Sequence, residues 1–491
     1  MILSIDIGTT GLKIGLFNSK GQNTYSLRKK TPLVKENLNT INIEKIYDTV
    51  LSGIKDVMEK NKDINIEIIG VDGQMGGIVG INDAWEAVFN FDPPINNNFK
   101  KSLETVLDKN GEIINNISGS IPINGTKMLY WKKQENSIYQ RVKKFITLSG
   151  FIVGKLTNMS AEEAFIDRTS LYLFGLSDKK GWSKTICDIL SISKKVLPKI
   201  KNCTDIVGKL SHDAATRTNL KSGIPVVAGC GDTAASILGA GVINKGEAID
   251  IAGTCSIFGI CSDVDFIDKN NRTLIRMESP IPDTYYLLGI NFGGEMHEWF
   301  INNIYNNGEN YSKLIEQARK IPPGSENILF LPFLGGSFIP PNKDTRGTWF
   351  GLDWKHNLYH LYKSFLESIG YEYLNYYNIY KNINNKSINK VMVIGGGSNN
   401  NLWNQIKADI LGINYKKLSN KHYECIGTAL VAGLAAGVFT DLDKIITNNR
   451  EIEDYYTYNE VNNEKYQIIF ENYKTVREKN LNEIYQDINK F

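Results

Sequence analysis

The sequence predicts an α/β protein built as two lobes, and three observations carry that prediction. The chain has 491 residues, more than one core organises, because single hydrophobic cores stop growing at about 250–300 residues. Apolar strand-like runs alternate with segments of helical spacing from the N-terminus onward, the pattern of an α/β fold. A strand, a Gly-Thr turn and a second strand open the chain and open it again half a chain later.

Residues 1–7 read as a strand, Gly8-Thr9-Thr10-Gly11 as a turn, residues 12–17 as a second strand and Ser19-Lys20-Gly21 as a second turn. Ile43, Ile46, Val50, Ile54 and Val57 have helical spacing, and residues 64–71 form the next strand, ending at Gly73-Gln74. The stretch 96–215 is rich in Asn, Lys and Ser, with helices expected near 127–157 and 182–191. Residues 226–231 read as a strand that delivers Asp232, and residues 237–241 continue as a helix. Residues 248–256 then echo residues 5–10, weak evidence by itself but consistent with two similar lobes. Leu358, Leu361, Tyr362, Phe365, Leu366 and Ile369 line one helix face. Residues 391–394 are a strand, Gly395-Gly396-Gly397 a turn, residues 401–411 a helix and residues 466–476 part of a closing amphipathic helix.

Composition excludes several classes. Net charge is +3 with no block of like charge, so neither a nucleic-acid groove nor a polybasic membrane anchor is expected. No run approaches the roughly 18 apolar residues of a membrane helix. The start has no basic n-region and Asp6 breaks its apolar run, so it does not read as a signal peptide. Six cysteines without CxxC spacing and five histidines without HExxH spacing point to reduced thiols, no zinc site and a cytoplasmic location.

The Gly-Thr turns suit phosphate. Glycines let backbone N–H groups approach phosphate oxygens, threonine hydroxyls add donors, and a carboxylate at the end of the preceding strand can hold Mg²⁺ directly or through water. Residues 6–11 supply all of these, with a plain hairpin turn as the lesser reading of the segment taken alone. Gly253-Thr254-Cys255-Ser256 offers a second clamp, and Gly395 to Ser398 either passes a nucleoside or makes a tight strand–helix connection. Asp232, after Gly229-Cys230-Gly231, can accept a proton from a substrate hydroxyl. It can also act as a helix N-cap for the N–H groups of Ala234 and Ala235.

Together these segments resemble the FGGY carbohydrate kinases, the family of xylulokinase, glycerol kinase and gluconokinase, from Asp6 to about Gly437. Asp6-Ile-Gly-Thr-Thr and Gly253-Thr254 resemble the two phosphate motifs. Gly73-Gln74-Met75 resembles the GQM of the xylulokinase branch, and Gly229-Cys-Gly-Asp232-Thr-Ala-Ala the segment of the catalytic aspartate. The stretch from Gly347 to Glu367 is close to a family signature, Gly395 to Asp409 resembles the adenosine motif, and Gly427 to Gly433 the helix after it.

The resemblance implies two ribonuclease-H-like lobes of the actin-like ATPase type around a central cleft, one over residues 1–243 and one over residues 244–491. It implies ATP and a small sugar as substrates with Mg²⁺ as cofactor. Asp232 becomes the base. Asp6 and Asp232 become the carboxylates at the metal. Thr9, Thr10, Lys13, Gly253, Thr254, Gly396, Gly397 and Asn400 become the ATP contacts, and Gln74, Met75, Asp92 and Asp232 the sugar contacts. No nucleic-acid or membrane partner follows, and a homodimer is one assembly it allows.

The departures lie at the sugar end. Gly76 stands where the xylulokinase pattern has histidine, and Phe91-Asp92-Pro93-Pro94-Ile95-Asn96 replaces a Trp-Asn-Asp-x-Arg-like run. Asp92 serves equally as a turn residue before Pro93. Tyr130, Trp131, Glu295, His297 and Trp299 are further candidates for lining the sugar pocket or for the core. The expected activity is phosphorylation of a ketose such as xylulose. Glycerol, gluconate or a ribulose-like sugar, a chaperone-type ATPase and a sugar-sensing pseudokinase are the alternatives.

Overall fold

The computed structural model describes residues 1–8, 11–31, 42–92, 97–305, 311–337, 342, 345–384, 386–419 and 422–479. Thr9 and Thr10, two of the expected ATP contacts, lie outside these residues.

In the first sheet, β1 (Ile2–Ile7), β2 (Gly11–Phe17), β3 (Asn23–Lys30), β4 (Ile68–Gly73), β5 (Ile206–Lys209) and β6 (Pro225–Val227) lie in the order β5-β6-β4-β1-β2-β3, and β7 (Cys230–Gly231) also pairs with β4. The hairpins β1–β2 and β2–β3 are antiparallel, whereas β4 runs parallel to β1, β6 and β7. β1 and β4 are buried at every position, as strands covered on both faces must be. The helix Ile43–Lys60 starts where the Asn42 side chain accepts from Lys45 N, and it buries the predicted face of Ile43, Ile46, Val50, Ile54 and Val57.

The second sheet repeats the plan. Six of its seven strands, β8 (Glu247–Ala252), β9 (Ser256–Ser262), β10 (Tyr285–Asn291), β11 (Lys390–Ile394), β12 (Tyr415–Leu418) and β13 (Ile452–Tyr456), lie in the order β10-β9-β8-β11-β12-β13. β8–β9 is antiparallel, β8–β11 and β11–β12 are parallel, and β12–β13 is antiparallel. The echo seen in the sequence is thus a repeated sheet topology.

Several boundaries differ from expectation. The strand expected over 64–71 runs Ile68–Gly73, and the one expected over 226–231 is split into β6 and β7. Gly229 causes the split: its φ is +75°, and a Cβ there would lie 1.9 Å from the Val71 carbonyl oxygen. The helix expected near 127–157 is interrupted by the strand Lys144–Ile146.

The chain forms two compact units that are not two consecutive halves. The first comprises Met1–Ile243, Arg276–Tyr286 and His422–Arg450, and the second Asn244–Ile275, Leu287–Lys421 and Glu451–Phe491. Two segments expected in the C-terminal lobe therefore belong to the first unit. The reason for the second of them is packing. Helix Tyr423–Ala435 lies on β4, where a Cβ on Gly70 would meet the Thr428 side chain at 2.9 Å and its carbonyl oxygen at 3.0 Å. It also crosses helix Asp232–Gly239 through reciprocal glycines. A Cβ on Gly427 would lie 2.0 Å from the Ala235 oxygen, and one on Gly239 would lie 2.0 Å from the Tyr423 oxygen.

The second unit closes through its last helix, Glu460–Lys479. Arg477 makes a two-pronged pair with Glu372 at 2.7 and 3.1 Å, and Tyr473 donates to the same carboxylate at 2.7 Å. Both charged groups are buried, so each depends on the other.

Gly427→Ala is expected to cost about 1–3 kcal/mol in chemical denaturation, because backbone cannot yield to the added methyl. Gly396→Ala, where a Cβ meets nothing within 4 Å, is expected to change stability by less than about 0.5 kcal/mol.

Candidate active site

The β-ladder of the first unit sets a row of chemistry across one level of the sheet. Lys13 is opposite Asp6 on β2, Asp72 is beside Asp6 on β4, and Cys230 is beside Asp72 on β7. Side chains at paired positions share a face, so this register brings Lys13, Asp6 and Asp72 together. Lys13 Nζ is 2.8 Å from Asp6 Oδ2 and 3.0 Å from Glu424 Oε2. Helix Tyr423–Ala435 supplies Glu424 and, one turn on, Thr428, whose hydroxyl donates to Asp72 Oδ2 at 2.5 Å.

The carboxylates are hard to ionise here. Burial pushes Asp6 up; Lys13 opposes this, and the charge of Glu424 adds to it. Asp72 is held well above the usual carboxylate range by burial and then by Asp6, against the Thr428 hydrogen bond. Burial would lower the Lys13 ammonium, yet Asp6 and Glu424 hold it above its ordinary value. Asp6 Oδ1 and Asp72 Oδ1 are buried, and among the described residues the only hydrogen bond left to them is the one between the two carboxyls. Two adjacent buried carboxyls whose remaining oxygens meet only each other fit a hard divalent cation or its water, so Asp6 suits Mg²⁺.

Asp232 lies on the same unit. It is the first residue of helix Asp232–Gly239, whose N-cap is Gly231. The expected cap to Ala234 and Ala235 is absent: Asp232 Oδ1 accepts from Thr233 N at 2.7 Å. A residue already inside the first turn cannot fold its side chain back as an Ncap residue does. Burial, followed by the charge of Asp6, pushes the Asp232 carboxyl up to about 7, and the Thr233 backbone N–H opposes them.

Of the sugar-side candidates, Met75 touches this segment. Gln74 N donates to Ile7 O at 3.1 Å, and Met75 is buried against Gly231, where a Cβ would lie 2.1 Å from Met75 Cγ. Gly77 N donates to Asn124 Oδ1 at 3.1 Å, so Asn124 anchors the turn that carries Gly76. Asp92 ends the strand Ala87–Asp92 with its backbone paired to Ile78, and its side chain is outside the described residues. Trp131 packs on Phe89 at 4.4 Å between ring centres, which favours core over ligand for that ring.

The second unit holds the remaining candidates. The carbonyls of Gly253 and Thr254 accept from Gly294 N at 3.1 Å and Glu295 N at 3.0 Å, so helix Gly293–Phe300 braces this turn. Gly395 has φ +93°, and a Cβ there would lie 2.6 Å from Ala252 O, while one on Gly397 would lie 2.9 Å from Ala252 Cβ. The phosphate-type and nucleoside-type turns thus leave adjacent parallel strands in contact. Asn400 caps helix Asn401–Leu411 through Trp403 N at 3.1 Å and donates to the Tyr311 and Tyr362 hydroxyls at 3.0 and 3.1 Å. Its amide is committed to protein. His297 joins that cluster 3.0 Å from the Tyr362 hydroxyl, and burial lowers it to about 4, a neutral imidazole.

Asp250, the echo of Asp6, has a different fate. Lys407 pairs with its Oδ2 and Tyr373 donates to its Oδ1 at 2.8 Å, with all three side chains buried. The repeat keeps the strand and turn, but neutralises the carboxylate.

Sequence reading missed Asp72, Glu424 and Thr428. A signal existed for Asp72, a lone acid near the end of a buried strand just as Asp6 is, but Glu424 and Thr428 reach the site only through helix packing.

A family model described as "FGGY family of carbohydrate kinases, N-terminal domain" matches residues 1–239, and its C-terminal counterpart matches residues 251–436. The chain is 25% identical over 487 residues to a xylulose kinase of Bacillus subtilis, covering 97% of this chain and 96% of that one. In fold it is similar to a ligand-bound xylulose kinase from Lactobacillus acidophilus, with TM-score 0.88 at 23% identity and 99% of each chain covered. A gluconate kinase from the same organism gives TM-score 0.89 at 23% identity, again over 99% of each chain.

Asp250→Asn is expected to destabilise the protein by about 3–5 kcal/mol, because it strands the buried Lys407 charge. Asp6→Asn is expected to be neutral or stabilising, because it relieves crowding of buried carboxylates while Lys13 keeps Glu424. Denaturant titration of the two variants distinguishes these outcomes.

Proposed function

The chain belongs to the FGGY family of carbohydrate kinases, and on that premise we propose that it transfers the γ-phosphoryl group of ATP to a hydroxyl of a small sugar, a ketose such as xylulose. The observation that carries the mechanism is Asp232, a carboxyl poised to titrate at about 7 at the head of a helix, where a base for a hydroxyl proton is needed. General bases work best with a pKa close to the operating pH.

Asp232 accepts the proton as the sugar oxygen bonds to the γ-phosphorus. The bond from that phosphorus to the bridging oxygen of ADP breaks, and ADP leaves with the electron pair. Thr9, Thr10, Lys13, Gly253 and Thr254 donate to phosphate oxygens, while Gly396 and Gly397 let the nucleoside pass close to backbone. The side chain of Asn400 is committed to Trp403, Tyr311 and Tyr362, and its backbone N–H and carbonyl to Gly397 and Asn404, so Asn400 serves the nucleotide as a packing contact. Gln74, Met75 and Asp92 contact the sugar. Mg²⁺, held by Asp6 and reached by Asp232, would neutralise charge on the phosphates when bound. The Lys13 pair keeps Asp6 in place for it. The reaction suits the cytoplasm, and among the described residues no helix is long and apolar enough to cross a membrane.

A polyol or aldonate acceptor is the second reading. It is favoured by Gly76, which leaves the GQM turn without a side chain, and by the gluconate kinase likeness. A coupled ADP-release screen over pentuloses, hexuloses, aldonates and polyols separates the two, and ATP hydrolysis indifferent to every acceptor defeats both.

Asp232→Ala is expected to retain ATP binding by calorimetry and to lose ~10²–10⁴-fold in turnover. For the wild type, kcat/KM is expected to fall about tenfold per pH unit below about 7, since protonation removes the base, and to level off above. A profile flat from pH 5 to 8 is the contrary result.

A further inference from the structure

We propose that Thr169 is a positioning residue for Asp232, holding the Cys230–Gly231 peptide that leads into it through a hydroxyl relay anchored on Asp167. The proposal rests on the reading of Asp232 as the base.

The segment that delivers Asp232 has little rigidity of its own. Gly229 is required by its positive φ and its approach to Val71 O, and Gly231 by its contact with Met75. Glycines permit close approach but leave the backbone many conformations, so what holds the Cys230–Gly231 peptide, besides its pairing with β4, comes from the side chains around it. Gly231 N donates to Thr169 Oγ1 at 2.9 Å, in a fully buried contact.

The direction of the relay is fixed by its far end. Asp167 Oδ1 already accepts from Ser170 N at 3.1 Å, and its Oδ2 accepts from the Ser170 hydroxyl at 2.7 Å. The carboxylate accepts from the Thr169 hydroxyl as well. The single hydroxyl proton of Thr169 is thereby spent on Asp167, and its lone pairs face the Gly231 N–H. Asp167 is in turn held by the strand Phe165–Asp167, which pairs in parallel with Lys199–Lys201. The relay therefore runs from a pinned strand, through one hydroxyl, to the residue before the base. Thr169 touches no reacting atom in this account. Its effect is on the placement of Asp232, where an error of about 1 Å can cost ~10²-fold in rate.

Steady-state kinetics of Thr169→Val and Thr169→Ser, each also combined with Asp232→Ala, test this. Valine keeps the shape without the hydroxyl, and kcat is expected to fall ~10–100-fold with KM for ATP and for sugar changed less than about twofold. Serine restores the hydroxyl and should return kcat to within about threefold of wild type. With Asp232→Ala, Thr169→Val should cost nothing further, because its target is gone. A merely structural threonine would lower activity in both backgrounds.

Wild-type kcat in Thr169→Val, with Asp232→Ala inactive, overturns the relay and leaves the base intact. Near-normal turnover in Asp232→Ala instead removes the underlying reading. Should Thr169→Val not fold, amide exchange of the wild type decides. A Gly231 N–H protected to the level of global unfolding supports the relay, and a freely exchanging one overturns it.

Discussion

One ammonium group, that of Lys13, carries much of the electrostatics of the first unit. It lies 2.8 Å from Asp6 and 3.0 Å from Glu424, and Asp72 is the next carboxyl along the sheet. Burial penalises each charge in this cluster, and a lone buried carboxylate would take up a proton rather than stay ionised. Lys13 opposes that for Asp6, and the charge of Asp6 in turn helps to push Asp232 up to about 7. The titration of the proposed base and the state of the proposed metal carboxylate are therefore linked through one cross-strand pair.

The repeated topology shows two outcomes of the same strand-end acid. On β1 the acid keeps an oxygen whose one neighbour among the described residues is the Asp72 carboxyl, and on β8 the corresponding acid is closed off by Lys407 and Tyr373. A closed buried pair stiffens the local fold, whereas an open carboxylate holds free energy that a bound cation can recover. The difference fits a division of labour in which one copy of the motif is chemical and the other is a brace under the Gly253 and Gly395 turns.

Glycine placement supports both. Gly70, Gly239 and Gly427 admit a helix close enough to bring Glu424 and Thr428 to β1 and β4. Gly395 and Gly397 do the same for the two turns of the second unit. Where glycine permits closeness it also forfeits stiffness, and hydrogen-bonded side chains such as Thr169 on Gly231 N and Asn124 on Gly77 N supply it again.

Much was legible in the residue order alone. Local signals mark the α/β alternation, the Gly-Thr turns, the Asp6 strand end and the position of Asp232, because periodicity, turn chemistry and strand-end acids are written within a few residues. Register across the β1–β2 hairpin is nearly local as well, so Lys13 opposite Asp6 follows from a short turn. Other features required the tertiary structure. The pairing of Lys13 with Glu424 and of Asp72 with Thr428 spans most of the chain. So does the return of residues 422–450 to the first unit, and the same holds for the neutralisation of Asp250 by Lys407. These depend on which surfaces pack together and on the cost of leaving a charge buried alone, and both are set by atoms distant in sequence.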